Sequence, residues 1–269
     1  MKQLYVIGDP VLHSLSPVLH RAMIAETGVD YGYEARTVRA GELADFVRWA
    51  RAGGCAGFNV TMPHKEAIVP LLDELDRMAA AIGAVNTVCI RQGRAIGHNT
   101  DGTGFLDSLA ARGFAPEGKR AVLLGAGGAA KAVFHALTGA GAQVTVCARR
   151  MEQAALLAGR CPDCGAACAF GSVAQAAADC HLLINATPLG MRGKAAFSDL
   201  AFLQALPQDA VVYDLVYEPR ETALLAAAAA RGLPVIGGVE LLVYQAVRAF
   251  AFFTGVEADA AAPLRAVSR

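Results

Sequence analysis

The chain has 269 residues, enough for one large or two ordinary domains. Its 24 basic residues balance 24 acidic ones, so no charge excess favours nucleic acid or an anionic membrane surface. Apolar runs are broken by Gly, Pro or charge well short of a membrane span, and the first residues begin a strand directly, so neither a signal peptide nor a membrane segment is expected.

Gln3 to Gly8 reads as an apolar strand closed by a Gly-Asp-Pro turn, followed by His13-Ser14-Leu15-Ser16-Pro17. Pro17 suits the first position of a helix running to about Thr27, with Ser16 as its N-cap. The alternative for Ser16 is a ligand contact. Ser14 has no capping duty in this pattern, and two hydroxyls one residue apart at a strand's carboxyl end suit a small carboxylate. His13 and His20 read as structural.

Tyr31 to Val38 is expected as a strand, Glu42 to Ala52 as a helix, and Cys55 to Val60 as a strand leading into Asn59-Val60-Thr61-Met62-Pro63-His64-Lys65. Pro63 can open a helix, which puts Lys65 in its first turn. The dipole disfavours a cation there and so favours the neutral amine that proton transfer needs. The plain alternative is a flexible surface lysine. Gly83 to Val88 begins another strand, Gly93 turns the chain, and Arg94 to His98 returns. Asn99-Thr100-Asp101-Gly102 then opens a helix to about Arg112, with Asp101 either its N-cap or a functional carboxylate. Ser14, Ser16, Thr61, Lys65, Asn86 and Asp101 thus gather at strand carboxyl ends, where open α/β sheets bind ligands.

The stretch Arg120 to Arg150 carries the most specific local signal. An apolar strand, Arg120 to Leu124, runs into Gly125-Ala126-Gly127-Gly128-Ala129-Ala130, then an alanine-rich helix to Ala140 and a strand from Gln143 to Cys147. This is the G-x-G-x-x-A unit that binds dinucleotides: one glycine for the turn, one for approach to the pyrophosphate, and a small residue for helix–strand packing. The helix start supplies N–H groups and the positive dipole end to the phosphates. Ala148-Arg149-Arg150 stands where an NAD-binding chain carries a carboxylate for the ribose, so NADP is expected. The alternative is arginines that merely solvate a strand end.

Further strands are expected at His181 to Asn185, ending in Ala186-Thr187-Pro188, at Ala210 to Asp214, and at Pro234 to Ile236 before Gly237-Gly238. Helices are expected from Thr222 to Arg231 and from about Val239 to Thr254, where Gln245 is either a core amide or a ligand contact. The tail after Gly255 is expected on the surface. Seven cysteines, an odd number, suit a reducing cytoplasm better than a disulfide framework. Cys161-Pro-Asp-Cys164 with Cys168 looks like a metal knuckle, but no second pair follows and no metal is expected.

Taken together, Ser14 to Pro17, Asn59 to Lys65, Gly83 to Thr87, Asn99 to Gly102, Gly125 to Ala130, Asn185 to Pro188 and Leu242 to Gln245 resemble the shikimate dehydrogenase family over nearly the whole chain. The resemblance implies an α/β protein of two domains separated by a cleft: an open α/β substrate domain, residues 1–101 with 238–269, and a Rossmann NADP-binding domain, 102–237. It implies reversible NADPH-dependent reduction of 3-dehydroshikimate to shikimate. Lys65 and Asp101 are then the catalytic pair. Ser14, Ser16 and Tyr217 hold the substrate carboxylate, and Thr61, Asn86 and Gln245 its ring hydroxyls. Gly125, Ala126, Gly127, Gly128, Ala129, Arg149, Arg150, Thr187, Leu215 and Gly237 hold the cofactor. A quinate-type enzyme and a non-catalytic NADP sensor are the rivals. A cytoplasmic monomer or homodimer without nucleic-acid or membrane partners is expected.

Two departures from the family pattern bear on the cofactor. Its loop usually begins Asn-Arg-Thr, where this chain has Ala148-Arg149-Arg150, and Leu215 and Leu241 stand where methionine is common.

Overall fold

In the computed structural model, which describes residues 1–267, the first strand β1 (Lys2–Gly8) alternates its side chains. Leu4 and Val6 enter one apolar layer with Tyr33 and Phe253, and Ile7 enters another with Phe46 and Phe58. Helix α1 (Ser16–Thr27) starts with Pro17 in its first turn and stops at Gly28, whose left-handed φ of 69° suits glycine. Strand β2 (Tyr31–Thr37) returns alongside β1. The helix expected to Ala52 is shorter. A 3-10 turn at Ala40–Glu42 leads into α2 (Leu43–Trp49), which unwinds through Ala50–Gly54, where Gly53 takes φ 94°. Strand β3 is Gly57–Val60, beginning two residues later than expected, and every residue in it is buried.

Helix α3 (His64–Ala67) is a single turn, followed by the short β4 (Glu74–Leu75) and α4 (Arg77–Ile82). Asp76 caps α4 by accepting from the Ala79 N–H at 2.6 Å, and Gly83 ends it at φ 71°. The stretch from Gly83 was expected to begin a strand. Instead it closes a helix, and β5 begins at Thr87 (Thr87–Arg91) before turning into β6 (Arg94–His98). The sheet order is β2-β1-β3-β5-β6-β4. β1 is parallel to β2 and β3, whereas β5 is antiparallel to both β3 and β6. The carboxyl ends of β1, β3 and β6 and the start of β5 therefore share one edge.

Helix α5 (Asp101–Ala111) leads to the second sheet. There β7 (Arg120–Leu124), α6 (Gly128–Gly139), β8 (Gln143–Ala148), α7 (Met151–Ala158), β9 (Gly165–Ala169), α8 (Val173–Ala177) and β10 (Leu182–Asn185) alternate. β11 (Val211–Asp214), α9 (Ala223–Ala230) and β12 (Val235–Ile236) follow. All six strands are parallel in the order β12-β11-β10-β7-β8-β9. Leu123 faces a layer formed with α5, α6 and α7, and Val122 and Leu124 face one formed with α8 and α9. Chain direction across the sheet reverses between β7 and β10, the position at which doubly wound sheets open a crevice.

Helix α10 (Gly238–Thr254) follows, then α11 (Ala261–Val267). The tail was expected on the surface. It forms a helix packed on α1, with Pro263 and Val267 buried. The chain divides into two compact units, Met1–Gly104 with the chain from Val243, and Phe105–Leu242.

The cysteines also correct an expectation, because Cys147 and Cys168 are disulfide-bonded. They are register partners on the neighbouring parallel strands β8 and β9, with Cα atoms 4.9 Å apart, so both side chains leave the same face. Cys55, Cys89, Cys161, Cys164 and Cys180 are thiols. Among the described residues no cluster of three or more His, Cys, Asp or Glu side chains is placed to hold a metal, and no helix is long and apolar enough to cross a membrane.

Candidate active site

In the first unit the shared sheet edge collects a polar cluster. Lys65, on α3 just beyond β3, meets Asp101, the first residue of α5, with Nζ 2.6 Å from Oδ2. Their side chains are 26% and 11% exposed, so the pair is shielded on most sides yet open to a ligand. The Asn86 amide donates to the other Asp101 oxygen at 2.8 Å. Asn86 itself is held at every polar atom. Its Nδ2 also donates to Thr100 Oγ1 at 2.9 Å, and its Oδ1 accepts from the Thr100 N–H at 2.9 Å and from Thr87 Oγ1 at 3.0 Å. The amide orientation follows from these partners.

The alternative reading of Asp101 as an N-cap does not hold. The Asp101 N–H is taken by Asn99 Oδ1 at 3.1 Å, and Asn99 is anchored by donating to Ala84 O at 2.9 Å. Asn99 thus does the capping work and releases the Asp101 carboxylate for Lys65. A similar exchange occurs at α1. Ser16 was expected as its N-cap, but the helix starts one residue earlier, with Leu15 in αR geometry, and no side chain caps it. Ser14 Oγ instead accepts from the Ser16 N–H at 3.2 Å and donates to Ser16 Oγ at 3.1 Å. Both hydroxyls stand together, Ser14 on the loop after β1 and Ser16 at the start of α1.

Thr61 occupies the turn between β3 and α3, its N–H donating to Ile7 O at 2.9 Å. A Cβ on Gly8 would lie 2.5 Å from the Thr61 methyl, so the turn needs a glycine there. Gln245 reaches the cluster from α10, its Oε1 3.5 Å from Asn86 Nδ2. Gly104 allows this, because a Cβ there would meet the Gln245 backbone nitrogen at 2.4 Å. Six residues expected from the sequence (Ser14, Ser16, Thr61, Lys65, Asn86, Asp101) and Gln245 therefore belong to this unit. Sequence reasoning missed Tyr33 and Asn59. Tyr33 donates to Asn59 Oδ1 at 2.6 Å and reads in sequence as an ordinary inward aromatic of β2.

The second unit carries the other set. Gly125 sits at φ 108°, and a Cβ there would lie 3.1 Å from both Ala186 O and the Thr187 methyl of the loop after β10. That contact is the crevice at the reversal of strand order. Gly127 and Gly128, by contrast, have open space where a Cβ would go, and Gly127, the residue before α6, gives that helix no side-chain cap. The bare backbone and its uncapped N–H groups are therefore presented outward, which suits a phosphate. Ala130 is fully buried, as close helix–strand packing requires.

Gly125, Ala126 and Gly127 line a cavity of about 250 Å³ with Arg149, Arg150 and Thr187. Both guanidinium groups are exposed at its rim, the arrangement a phosphorylated dinucleotide needs. Gln153 and Phe170 also line it, and neither carries a recognisable sequence signal. Gly128, Ala129, Leu215 and Gly237 are outside that lining. Leu215 follows β11, and its carbonyl would lie 2.4 Å from a Cβ on Gly238. Tyr217 is half-buried, and burial with the neighbouring Glu218 raises its phenol pKa.

A polar knot fixes these loops. Asp214, fully buried, accepts from Thr222 Oγ1 at 2.6 Å, Asn185 Nδ2 at 2.9 Å and the Val216 N–H at 3.0 Å. Asn185 Oδ1 then accepts from Thr187 Oγ1 at 2.6 Å. Burial raises the Asp214 carboxyl pKa despite these three donors.

Comparison with known proteins decides the family. Residues 6–88 match the shikimate dehydrogenase substrate binding domain, 108–191 the shikimate / quinate 5-dehydrogenase domain, and 238–267 the shikimate 5'-dehydrogenase C-terminal domain. The chain belongs to the shikimate dehydrogenase family. Within that family it is 45% identical to the shikimate dehydrogenase (NADP(+)) of Moorella thermoacetica over 95% of this chain and 89% of the relative. The crystal structure of shikimate 5-dehydrogenase from Thermus thermophilus, in complex with NADP(H) and shikimate, matches with a TM-score of 0.92 at 36% identity, covering 100% and 99% of the two chains. The quinate dehydrogenase of Corynebacterium glutamicum, in complex with NAD, matches at 0.90 and 32%, covering 99% and 98%.

Proposed function

We propose that the chain catalyses the reversible NADPH-dependent reduction of 3-dehydroshikimate to shikimate, a cytoplasmic step of aromatic amino-acid biosynthesis. The observation that carries this reading is the Lys65–Asp101 contact of 2.6 Å, with Asn86 holding the second carboxylate oxygen. NADPH, when bound, supplies the hydride to the ketone carbon. Lys65 gives a proton to the ketone oxygen as it becomes the alcohol, and takes one back in the reverse direction. Asp101 keeps the ammonium aimed at that oxygen and offsets its charge. Ser14 and Ser16 donate to the substrate carboxylate, while Thr61, Asn86 and Gln245 fix the ring hydroxyls.

Gly125 to Ala129 receive the pyrophosphate at the α6 start, and Arg149 and Arg150 take the ribose phosphate that distinguishes NADP from NAD. Thr187, Leu215 and Gly237, at the ends of β10, β11 and β12, hold the remaining half of the cofactor. The arginine pair favours the NADP-linked shikimate enzyme over a NAD-linked quinate enzyme. The test is a spectrophotometric assay of the purified chain with NADP⁺ or NAD⁺ against shikimate or quinate. Fastest turnover is expected for NADP⁺ with shikimate. Tight NADPH binding with no turnover of any pair would instead make the chain a sensor.

A further inference from the structure

A line of buried hydrogen bonds runs from Tyr33 to the Lys65–Asp101 pair, and the catalytic reading gives no task to its first members, Tyr33, Asn59 and Thr87. Tyr33 donates to Asn59 Oδ1 at 2.6 Å. The Asn59 amide donates to Asn86 O at 3.1 Å and Thr87 Oγ1 at 3.0 Å. Thr87 donates to Asn86 Oδ1 at 3.0 Å, and Asn86 donates to Asp101 Oδ1 at 2.8 Å. Every donor therefore points toward Asp101, a polarity in which each bond strengthens the next.

Tyr33, Asn59, Thr87 and Asn86 are at most 7% exposed, so water does not replace a lost link. The His20 ring is stacked on Tyr33 with centroids 4.1 Å apart and planes 5° from parallel, which keeps the phenol from swinging away.

We propose that Tyr33 is a positioning residue that holds Asp101, and through it Lys65, by way of Asn59, Thr87 and Asn86. This rests on the catalytic reading above. Tyr33→Phe keeps the ring and its stacking and removes only the hydroxyl. Loss of one buried hydrogen bond in the line is expected to lower kcat about tenfold with the shikimate KM within about threefold of the parent, and to raise the solvent deuterium isotope effect on kcat. Adding Tyr33→Phe to Asp101→Asn is expected to cost nothing more, because the hydroxyl acts through that carboxylate.

A Tyr33→Phe kcat within about twofold of the parent, or losses that multiply in the double variant, would overturn the proposal. A separate arm needs no turnover. Labelling of Lys65 by trinitrobenzenesulfonate, located by peptide mass mapping, is expected to be at least about threefold faster in Tyr33→Phe, because Asp101 grips the amine less firmly. An unchanged labelling rate refutes the proposal even for a chain that turns over no substrate. A parent enzyme inactive on shikimate, with faster labelling in the variant, would sink the catalytic reading alone.

Discussion

Asp101→Asn changes one oxygen to an amide nitrogen at constant shape, and the surrounding geometry sets its cost. The carboxylate accepts from Lys65 Nζ at 2.6 Å and from Asn86 Nδ2 at 2.8 Å. An asparagine puts an N–H₂ against one of these donors in either orientation. Asn86 cannot turn to answer it, because its Oδ1 already accepts from the Thr100 N–H and from Thr87. The better orientation faces the amide oxygen to Lys65. It leaves Lys65 a bond in which only the ammonium is charged, a loss of about 1 kcal/mol against the ion pair, and forfeits a second bond of about 0.5–1.5 kcal/mol. About 1.5–2.5 kcal/mol of alignment is lost, which converts to a fall in kcat of roughly 10- to 70-fold. Lys65 is 26% exposed, so water solvates the released ammonium and folding suffers little. A melting temperature lower by about 2–4 °C is expected for a loss of about 1 kcal/mol in a chain of this size. The assay is steady-state NADPH absorbance with shikimate varied, beside a thermal melt. A kcat within about threefold of the parent, or a loss confined to KM, would refute the role of Asp101 in aligning Lys65 for proton transfer.

Replacing both Arg149 and Arg150 by alanine is expected to raise the KM for NADP⁺ by about 10- to 100-fold while leaving NAD⁺ kinetics unaltered, since each guanidinium–phosphate bond is worth about 1.5–3 kcal/mol before solvent screening. An NADP⁺/NAD⁺ preference that survives the double change would remove the arginines from the cofactor site. Gly125→Ala forces a Cβ to 3.1 Å from Ala186 O at φ 108° and is expected to cost about 1–3 kcal/mol, measured by chemical denaturation; an unchanged stability would mean that the turn relaxes freely. His20, fully buried among Tyr33, Phe250 and Phe253, has its pKa lowered by desolvation from 6.5 to about 3. Between those values the unfolded chain binds a proton that the folded chain refuses, so stability is full above 6.5 and declines as pH falls, by at most about 5 kcal/mol. Melting curves of His20→Gln between pH 7 and 4, roughly that window, are expected to be flatter than those of the parent, and an equal slope would discount the histidine.

Much of the architecture was legible because its signals are local. Pro17, Gly28 and Gly141 mark helix and turn boundaries through their own φ preferences, and Gly125-x-Gly127 works through a positive φ and an absent Cβ within a few residues of chain. Parallel strands buried on both faces read as short apolar runs, so β7, β8 and β10 stand out. Lys65, Asp101, Arg149 and Arg150 were conspicuous for the same reason: each lies at a strand end or a helix start, where local electrostatics already says what the position favours.

Partner choice across the sheets was not legible. A sequence shows that Ser16 or Asp101 can cap a helix, but Ser14 and Asn99 take the N–H groups because the loops bring those oxygens nearer. Tyr33 looks like any inward residue of an alternating strand. Only the lateral order β2-β1-β3-β5 carries its hydroxyl to Asn59 and onward to Asn86. The Cys147–Cys168 bond depends likewise on β8 and β9 being neighbours in matching register, and the tail helix on the face that α1 leaves for it. Composition and spacing determined the elements and the chemistry placed at their ends. Tertiary structure decided which donor meets which acceptor, because a hydrogen bond or a disulfide between residues far apart in the chain exists only once the strands that bear them have been set side by side.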